Sequence, residues 1–177
     1  MDIASIDQSM FPLLLNYHPL MLYRHQVNKQ ADTVMVDFMF PEGNTLAQLK
    51  SDYEFYEPIT THDSSLSKAI YAIIAARIGK DQQSYDFFSQ AVQTDLMDVH
   101  HNTKNGIHAG SLGAAWEGII YGFAGVVNNA KSFSLQPHLL GTASNLRCIC
   151  MAMNFSSLFI KIRWKWTWLV EKARILP

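Results

Sequence analysis

The spacing of hydrophobic residues changes near Gly125 and divides the chain into two regions. Before this glycine, apolar residues recur every three or four positions, which is the spacing of a helix with one buried face. After it, apolar and polar residues alternate between turn residues, which is typical of half-buried strands. The pattern therefore predicts helices over residues 1–125 and antiparallel strands over residues 126–177.

Prolines, glycines and capping residues set the ends of the predicted helices. The segment from Met1 to Pro19 is expected to be irregular, because its two prolines limit regular structure. Helices are then predicted at Met21–Phe40, Asn44 or Thr45 to Tyr56, Leu66–Ile78, Asp81–Leu96 and Ser111–Phe123, with Pro41, Pro58 and Gly79 among the residues that stop them. The apolar stripes and short connections of these helices indicate a layered α/α toroid or a helical bundle.

The end of the chain carries three predicted strands, at Phe133–Leu135, Leu146–Met153 and Leu158–Val170. In the last of them, every second residue from Ile160 to Trp168 is isoleucine or tryptophan, and lysine, arginine or threonine lies between them. A membrane-interface segment of similar composition would follow the helical period. The period of two therefore favours a strand with one buried face.

The composition of the 177 residues is that of a folded domain, since 49% are hydrophobic and the formal net charge is −1. Near-neutral charge argues against a dedicated nucleic-acid binder, which needs a basic surface. No apolar run reaches the about 20 residues of a membrane-spanning helix, and the first residues lack the pattern of a secretory signal. Cys148 and Cys150 are too few to hold zinc, and we expect reduced thiols in a cytoplasmic protein.

The densest polar cluster runs from Thr60 to Ser65 and precedes a predicted helix. Hydroxyls, backbone N–H groups and the positive end of a helix together suit an anion such as phosphate. His62 would add a cationic or hydrogen-bonding partner. The alternative is ordinary helix capping, in which Asp63, Ser64 or Ser65 bonds the first backbone amides of the helix.

A second loop, Asn105–Ser111, also opens a helix and contains His108 between two glycines. Glycines allow a ligand to approach the backbone closely, although turn formation explains them equally well. Two loops that each place a histidine and a serine before a helix could hold one oxyanion together, provided that they lie on the same rim.

Lys29 and Gln30 interrupt an otherwise apolar predicted helix. They could supply a cation and an amide to the same rim, or they could simply face solvent. His100 and His101 are adjacent and lack the spacing of metal ligands, so we expect no metal site. The sequence also contains no phosphate-binding glycine loop, dinucleotide fingerprint or nucleophile elbow.

Ten short segments follow one another in an order that matches a known family. The most recognisable is Thr60–Ser67, and the others are Tyr17-His18-Pro19, Tyr23-Arg24, Gln26-Val27, Lys29 to Asp32, Tyr56-Glu57-Pro58, Asp95-Leu96, Asn102-Thr103, Gly106-Ile107-His108 and Gly122 to Gly125. Together they resemble the disaccharide phosphorylases of glycoside hydrolase family 65. The resemblance covers about Phe11 to Leu139 and fades beyond Leu140.

The resemblance implies a mainly α fold. Residues 1–125 would form the last helices of an (α/α)6 barrel, and residues 126–177 would form the first antiparallel strands of a C-terminal β domain. Members of the family cleave an α-linked glucose disaccharide with inorganic phosphate and invert the anomeric centre, which gives β-glucose 1-phosphate. Phosphate is a co-substrate, and no other cofactor is expected. Neither nucleic acid nor membrane is an expected partner, while a homodimer of the full-length protein is compatible with the family.

The resemblance also implies roles for six residues of this chain. Lys29 and Gln30 would border the sugar. The residues near the phosphate would be His62, Ser64, Ser65 and His108.

One departure from the family pattern changes the expected activity. The general acid of the family is a glutamate in an Asp-Glu-Tyr segment, and no Asp-Glu pair occurs in this chain. We therefore expect a C-terminal fragment of a phosphorylase that is inactive alone and has no catalytic residue of its own. The alternatives are a non-catalytic helical module that binds a sugar phosphate, or a hydrolase relative. A hydrolase would need a carboxylate that activates water, for which the candidates are Glu54, Glu57, Asp63, Asp95 and Asp98.

Overall fold

The computed structural model describes residues 1–129 and 132–138, and within these ranges the chain is mainly helical with one pair of strands. The α-helices are α1 (Leu13–Asn16), α2 (Pro19–Leu22), α3 (Asp32–Met39), α4 (Leu46–Tyr56), α5 (Ser67–Arg77), α6 (Asp81–Leu96) and α7 (Ala109–Glu117). α7 continues into a π-helical segment, Gly118–Phe123. Short 3₁₀ turns lie at Ile3–Ser5, Gln8–Met10, Pro41–Gly43, Glu57–Ile59 and Thr103–Asn105.

Helices α4 to α7 confirm four of the predicted helices. The Thr45 hydroxyl caps α4 by accepting a hydrogen bond from the Gln48 N–H at 3.2 Å, and Gly79 follows α5 with a φ of +79°. α5 begins at Ser67, one residue after the predicted start, and α7 begins two residues before it. In residues 1–129 and 132–138, none of the helices combines the length and the hydrophobicity that a transmembrane span requires.

The helix predicted at Met21–Phe40 is wrong in its first half. Only α3 forms a helix of two turns there. The segment around Asn28, which precedes α3, pairs instead with the segment that follows α4. The Asn28 N–H donates to the Ile59 carbonyl at 2.8 Å, and the Asn28 carbonyl accepts from the Thr61 N–H at 2.8 Å. These two bonds keep residues around Asn28 extended beside the segment that follows α4, because backbone groups paired with another segment cannot also pair within a helix.

The core is built around α5. All residues from Ala69 to Ala76 are buried, so the predicted apolar stripe of this helix extends around its whole circumference. A helix that is apolar on all sides needs neighbours on all sides, and α5 packs against α3, α4, α6, α7 and the π-helical segment. The helix therefore forms the centre of the described unit.

Two antiparallel strands follow the helices. β1 (Val126–Asn129) pairs with β2 (Ser132–Leu135), in a register that places Val126 opposite Leu135. β2 confirms the strand predicted at Phe133–Leu135, whereas β1 falls in the predicted strand region 126–177 at a place where no individual strand is predicted. Both strands belong to the same unit as the helices, which extends from Met1 to His138. The strands predicted at residues 146–153 and 158–170, together with Cys148 and Cys150, lie outside the described residues. The domain boundary between residues 125 and 126 stays a prediction.

The turn before β1 requires glycine. Gly125 has a φ of +61°, and a Cβ atom there would lie 1.7 Å from the Gln136 carbonyl oxygen. We expect Gly125→Ala to lower the free energy of unfolding by about 2 kcal/mol, because the left-handed conformation costs an L-residue about 1–2 kcal/mol and the backbone of Gln136 must also shift. Urea denaturation measures the change. Gly43→Ala is the control, since its Cβ would meet no atom within 4 Å. Equal effects of the two substitutions would contradict the prediction.

Candidate functional site

The loop from Thr60 to Ser65 is anchored to the core at both ends. The Thr60 side chain is buried, donates to the Tyr56 carbonyl at 2.7 Å and lies 2.8 Å from the Tyr71 hydroxyl. The Asp63 carboxylate accepts a hydrogen bond from the Leu13 N–H at 3.2 Å. Burial raises the pKa of Asp63, although hydrogen bonds and the charge of Lys29 oppose this rise. The loop therefore has a defined shape before α5 begins.

Capping does not explain the polar residues of this loop. α5 has no side-chain hydrogen bond at its N-cap. The Ser64 hydroxyl accepts from the Leu66 N–H only at 3.4 Å, the long end of hydrogen-bond geometry. Asp63 bonds the chain at Leu13 instead of the helix, so the capping role considered for Asp63 is wrong. The N-terminal end of α5 thus keeps its favourable field for an anion.

His62 is a neutral residue in this site. Its ring packs against Tyr71 and Phe87, with centroid distances of 4.8 Å and 5.0 Å. Burial, with a smaller contribution from the charge of Lys68, lowers the pKa of His62 to about 4. His62 is therefore uncharged at neutral pH, and of the two roles considered for it, cation or hydrogen-bonding partner, the structure supports the second.

The geometry of His62 also defines its hydrogen bonds. Its Nδ1 lies 2.9 Å from the Ser67 hydroxyl oxygen. When that hydroxyl donates to Nδ1, a neutral ring carries its proton on Nε2 and can donate there. The residue adopts a left-handed backbone conformation with a φ of +56°, which turns the chain between Thr61 and Asp63.

A pocket of about 120 Å³ brings three of the predicted phosphate residues together. It lies between the loop before α5 with the first turn of that helix, the C-terminal half of α6 and the segment after α6. Its lining residues are His62, Ser64, Ser65, Lys68, Gln90, Gln93, Thr94, Val99 and His100. Hydroxyls, amides, imidazoles and one ammonium group surround it, which is a set of donors suited to an oxyanion.

His108 does not line this pocket. Its backbone N–H donates to Asp95 Oδ2 at 2.8 Å, and its Nδ1 lies 2.5 Å from Asp95 Oδ1. The His108 ring is 5.9 Å from the ring of His100, which does line the pocket. The two predicted loops thus lie on the same side of the unit and are connected through His100.

Lys29 and Gln30 lie near the first loop but outside the pocket. The bridge between Asn28 and Thr60 brings them there. The Lys29 side chain is exposed, and its charge acts on Asp63. The Gln30 amide donates to the Asp32 carboxylate at 2.8 Å. Both residues thus lie beside the Thr60–Ser65 loop and are not among the residues that line the pocket.

Sequence reasoning missed five polar residues of the pocket. Gln90, Gln93 and Thr94 follow the i, i+3, i+4 spacing of one helix face. This spacing is a polar signal that the apolar stripe of the same helix does not reveal. Lys68 lies in the first turn of the helix that follows the serines. The adjacent pair His100-His101 bears in the sequence only on the question of a metal site. Within residues 1–129 and 132–138, histidine, cysteine and carboxylate side chains form no group of three that could hold a metal ion.

Comparisons with known proteins identify the family that this chain resembles. Residues 1–117 match the model of the glycosyl hydrolase family 65 central catalytic domain. The chain is 43% identical over 136 residues to alpha,alpha-trehalose phosphorylase of Geobacillus stearothermophilus. The aligned region covers 77% of this chain and 18% of that protein. It is 45% identical over 127 residues to kojibiose phosphorylase of Escherichia coli K12, and this aligned region covers 72% of this chain and 17% of that protein.

A solved structure is similar as well. A putative kojibiose phosphorylase from the human microbiome matches with a TM-score of 0.73 and 38% identity, over 77% of this chain and 19% of that chain. This match confirms the expected mainly helical fold and its correspondence to part of an (α/α)6 barrel. The chain spans less than a fifth of the length of the curated relatives reported above.

Proposed function

We propose, because the chain belongs to glycosyl hydrolase family 65, that its pocket binds inorganic phosphate as part of an inverting disaccharide phosphorylase. In this reaction phosphate attacks the anomeric carbon of an α-linked glucose disaccharide, and the products are β-glucose 1-phosphate and the released sugar. One observation carries the proposal: His62, Ser64 and Ser65 line a single pocket with an ammonium group and further polar side chains.

The chemistry of the pocket supports binding of an anion at neutral pH. The Ser64 and Ser65 hydroxyls can donate hydrogen bonds to phosphate oxygens, and the neutral His62 ring can donate through Nε2. Gln90 and Gln93 add amide donors from α6. Hydrogen bonds to a charged acceptor are stronger than those between neutral groups. The site can thereby hold phosphate in a fixed orientation, which is the contribution that an attacking nucleophile needs from its binding site.

The alternative function, hydrolysis of the disaccharide by water, has less support than phosphorolysis. An inverting hydrolase requires a carboxylate that activates water. In the part of the chain that the structure describes, none of the five candidate carboxylates lines the pocket. Asp95 bonds to His108, and Asp63 bonds to the Leu13 N–H. Both groups are engaged in holding loops.

We also propose that this chain alone does not catalyse the complete reaction. No Asp-Glu pair is present in the sequence to supply the general acid of the family. Loss of general acid catalysis typically costs a factor of about 10²–10⁴ in rate. Binding of phosphate is therefore the appropriate measurement for this chain.

The double substitution Ser64→Ala with Ser65→Ala tests the phosphate site. Isothermal titration calorimetry with inorganic phosphate is expected to show binding to the natural chain and at least tenfold weaker binding to the double variant. One hydrogen bond to a charged group contributes about 1.5–3 kcal/mol, and about 1.4 kcal/mol is a factor of ten. Ser51→Ala, an exposed hydroxyl on α4, is the matched control and should leave the affinity unchanged.

Two results would contradict the proposal. The first is absence of phosphate binding to the natural chain under conditions in which it is folded. The second is equal affinity of the natural chain and the double variant. A parallel titration with glucose 1-phosphate distinguishes the non-catalytic alternative, since a sugar-phosphate-binding module would prefer the ester over inorganic phosphate.

A further inference from the structure

We propose that Lys68 supplies the positive charge that holds the anion in this pocket, a role that rests on the proposed phosphate site. Neither the resemblance nor the pattern of the sequence pointed to this residue. Lys68 lies in the first turn of α5, and its side chain lines the pocket between the serine loop and α6. It is thus the one lysine or arginine among the lining residues that the structure describes.

Within the described residues, the ammonium group of Lys68 forms no ion pair with a carboxylate. Among residues 1–129 and 132–138, the lysine ion pairs within 4 Å involve Lys50 and Lys80, both with Glu54. Lys68 is only partly exposed, and burial lowers its pKa. A half-buried charge without a counter-ion is unfavourable. An anion that enters the pocket is attracted by the ammonium group, and its binding also removes the unfavourable free energy of the unpaired charge.

The other titratable groups that line the pocket beside Lys68 are two imidazoles, His62 and His100. The charge of Lys68 lowers the pKa of both imidazoles. Burial is the larger cause in both cases. Three basic groups therefore converge on one small space, and Asp63 and Asp95, whose charges act on His100, do not line it.

Lys68 is the group best able to remain charged. Lysine begins from a pKa about four units above that of histidine, whereas His62 has a pKa of about 4 and is neutral in the physiological range. Lys29 is exposed and does not line the pocket. The attraction for phosphate is consequently assigned to the lysine, and the histidines contribute hydrogen bonds.

Calorimetry on three variants of the full chain tests the assignment. Lys68→Gln removes the charge but keeps a long polar side chain, Lys68→Arg keeps the charge, and Lys50→Gln removes an exposed charge on α4. With inorganic phosphate, we expect about ten- to hundredfold weaker binding for Lys68→Gln. Lys68→Arg is expected to bind within about threefold of the natural chain, and Lys50→Gln to be unchanged. The salt dependence of the affinity should become shallower only in Lys68→Gln.

A measurement on the natural chain covers the case in which Lys68→Gln does not fold. With ¹³C-labelled lysine, the Lys68 ε-methylene signal should titrate at lower pH than the signals of exposed lysines. Addition of phosphate should move its midpoint upward, because a bound anion stabilises the ammonium form. A Lys68 midpoint that does not respond to bound phosphate would overturn the assignment.

The outcomes separate the two proposals. If Lys68→Gln binds phosphate as tightly as the natural chain while the Ser64 and Ser65 double variant does not, the assignment of Lys68 is wrong and the phosphate site stands. If the folded natural chain does not bind phosphate, the proposed function fails and the role of Lys68 fails with it.

Discussion

Tyr71→Ala is expected to lower the free energy of unfolding by about 3–5 kcal/mol, the range seen when a large buried aromatic is truncated. Tyr71 has 0% exposed area in the centre of α5. Its ring packs edge-to-face on Tyr53 at 5.6 Å and lies 5.9 Å from Phe87. Because typical domains are stable by only 5–15 kcal/mol, the substitution should remove a large share of the total. Urea denaturation followed by circular dichroism measures it.

Two control variants separate the causes of this loss. Tyr71→Phe keeps the ring and removes the hydroxyl that meets Thr60 Oγ1 at 2.8 Å, which should cost about 1 kcal/mol. Thr60 retains its bond to the Tyr56 carbonyl, so its hydroxyl is not left unsatisfied. Tyr85→Ala truncates a half-exposed tyrosine on α6 and should change stability by much less. A small effect of Tyr71→Ala, similar to that of Tyr85→Ala, would show that the core is not centred on α5.

Protonation of His62 is expected to destabilise the chain as the pH falls. Its pKa is about 4 in the folded chain, against an ordinary value of 6.5. Between these two values the unfolded chain binds more protons, so stability is full above about pH 6.5 and is lost progressively toward pH 4. The loss is on the order of 3 kcal/mol, since one pKa unit corresponds to about 1.4 kcal/mol.

His62→Asn isolates this contribution. Asparagine tolerates a positive φ and can still bond Ser67, but it does not titrate. Free energies of unfolding at pH 7, 5.5 and 4.5 should fall less steeply for the variant than for the natural chain. His18→Asn is the matched control, because His18 is exposed and asparagine can also cap α2. If His62→Asn and the natural chain show parallel pH profiles, His62 is not buried as a neutral group.

The helices were the most predictable part of this protein. Thr45 caps α4, Pro58 follows its end, and Gly79 terminates α5 in a left-handed conformation. Each of these signals acts through backbone groups only a few residues away, so the sequence contains the whole cause. The same argument explains the failure at Met21–Phe40, where the cause is a distant segment: the bonds from Asn28 to Ile59 and Thr61 replace helical bonds.

The candidate site was predictable only in part. Ser64 and Ser65 are adjacent and precede a helix, so their position at its end followed from local pattern. The opposite wall of the pocket comes from Gln90, Gln93 and Thr94, which approach only because α6 packs on α5. The distance along the sequence between residues 65 and 90 does not indicate how α5 and α6 pack against each other.

The sequence by itself determined the helices α4 to α7, the strand β2, the family and the residues of the serine loop, because these depend on neighbouring side chains or on ordered motifs. Only the tertiary structure decided the charges in the pocket. Tyr71 and Phe87 surround His62 and exclude water from it, which favours its neutral form. The packing of α5 and α6 then leaves Lys68 facing the same space without a carboxylate beside it in the described chain.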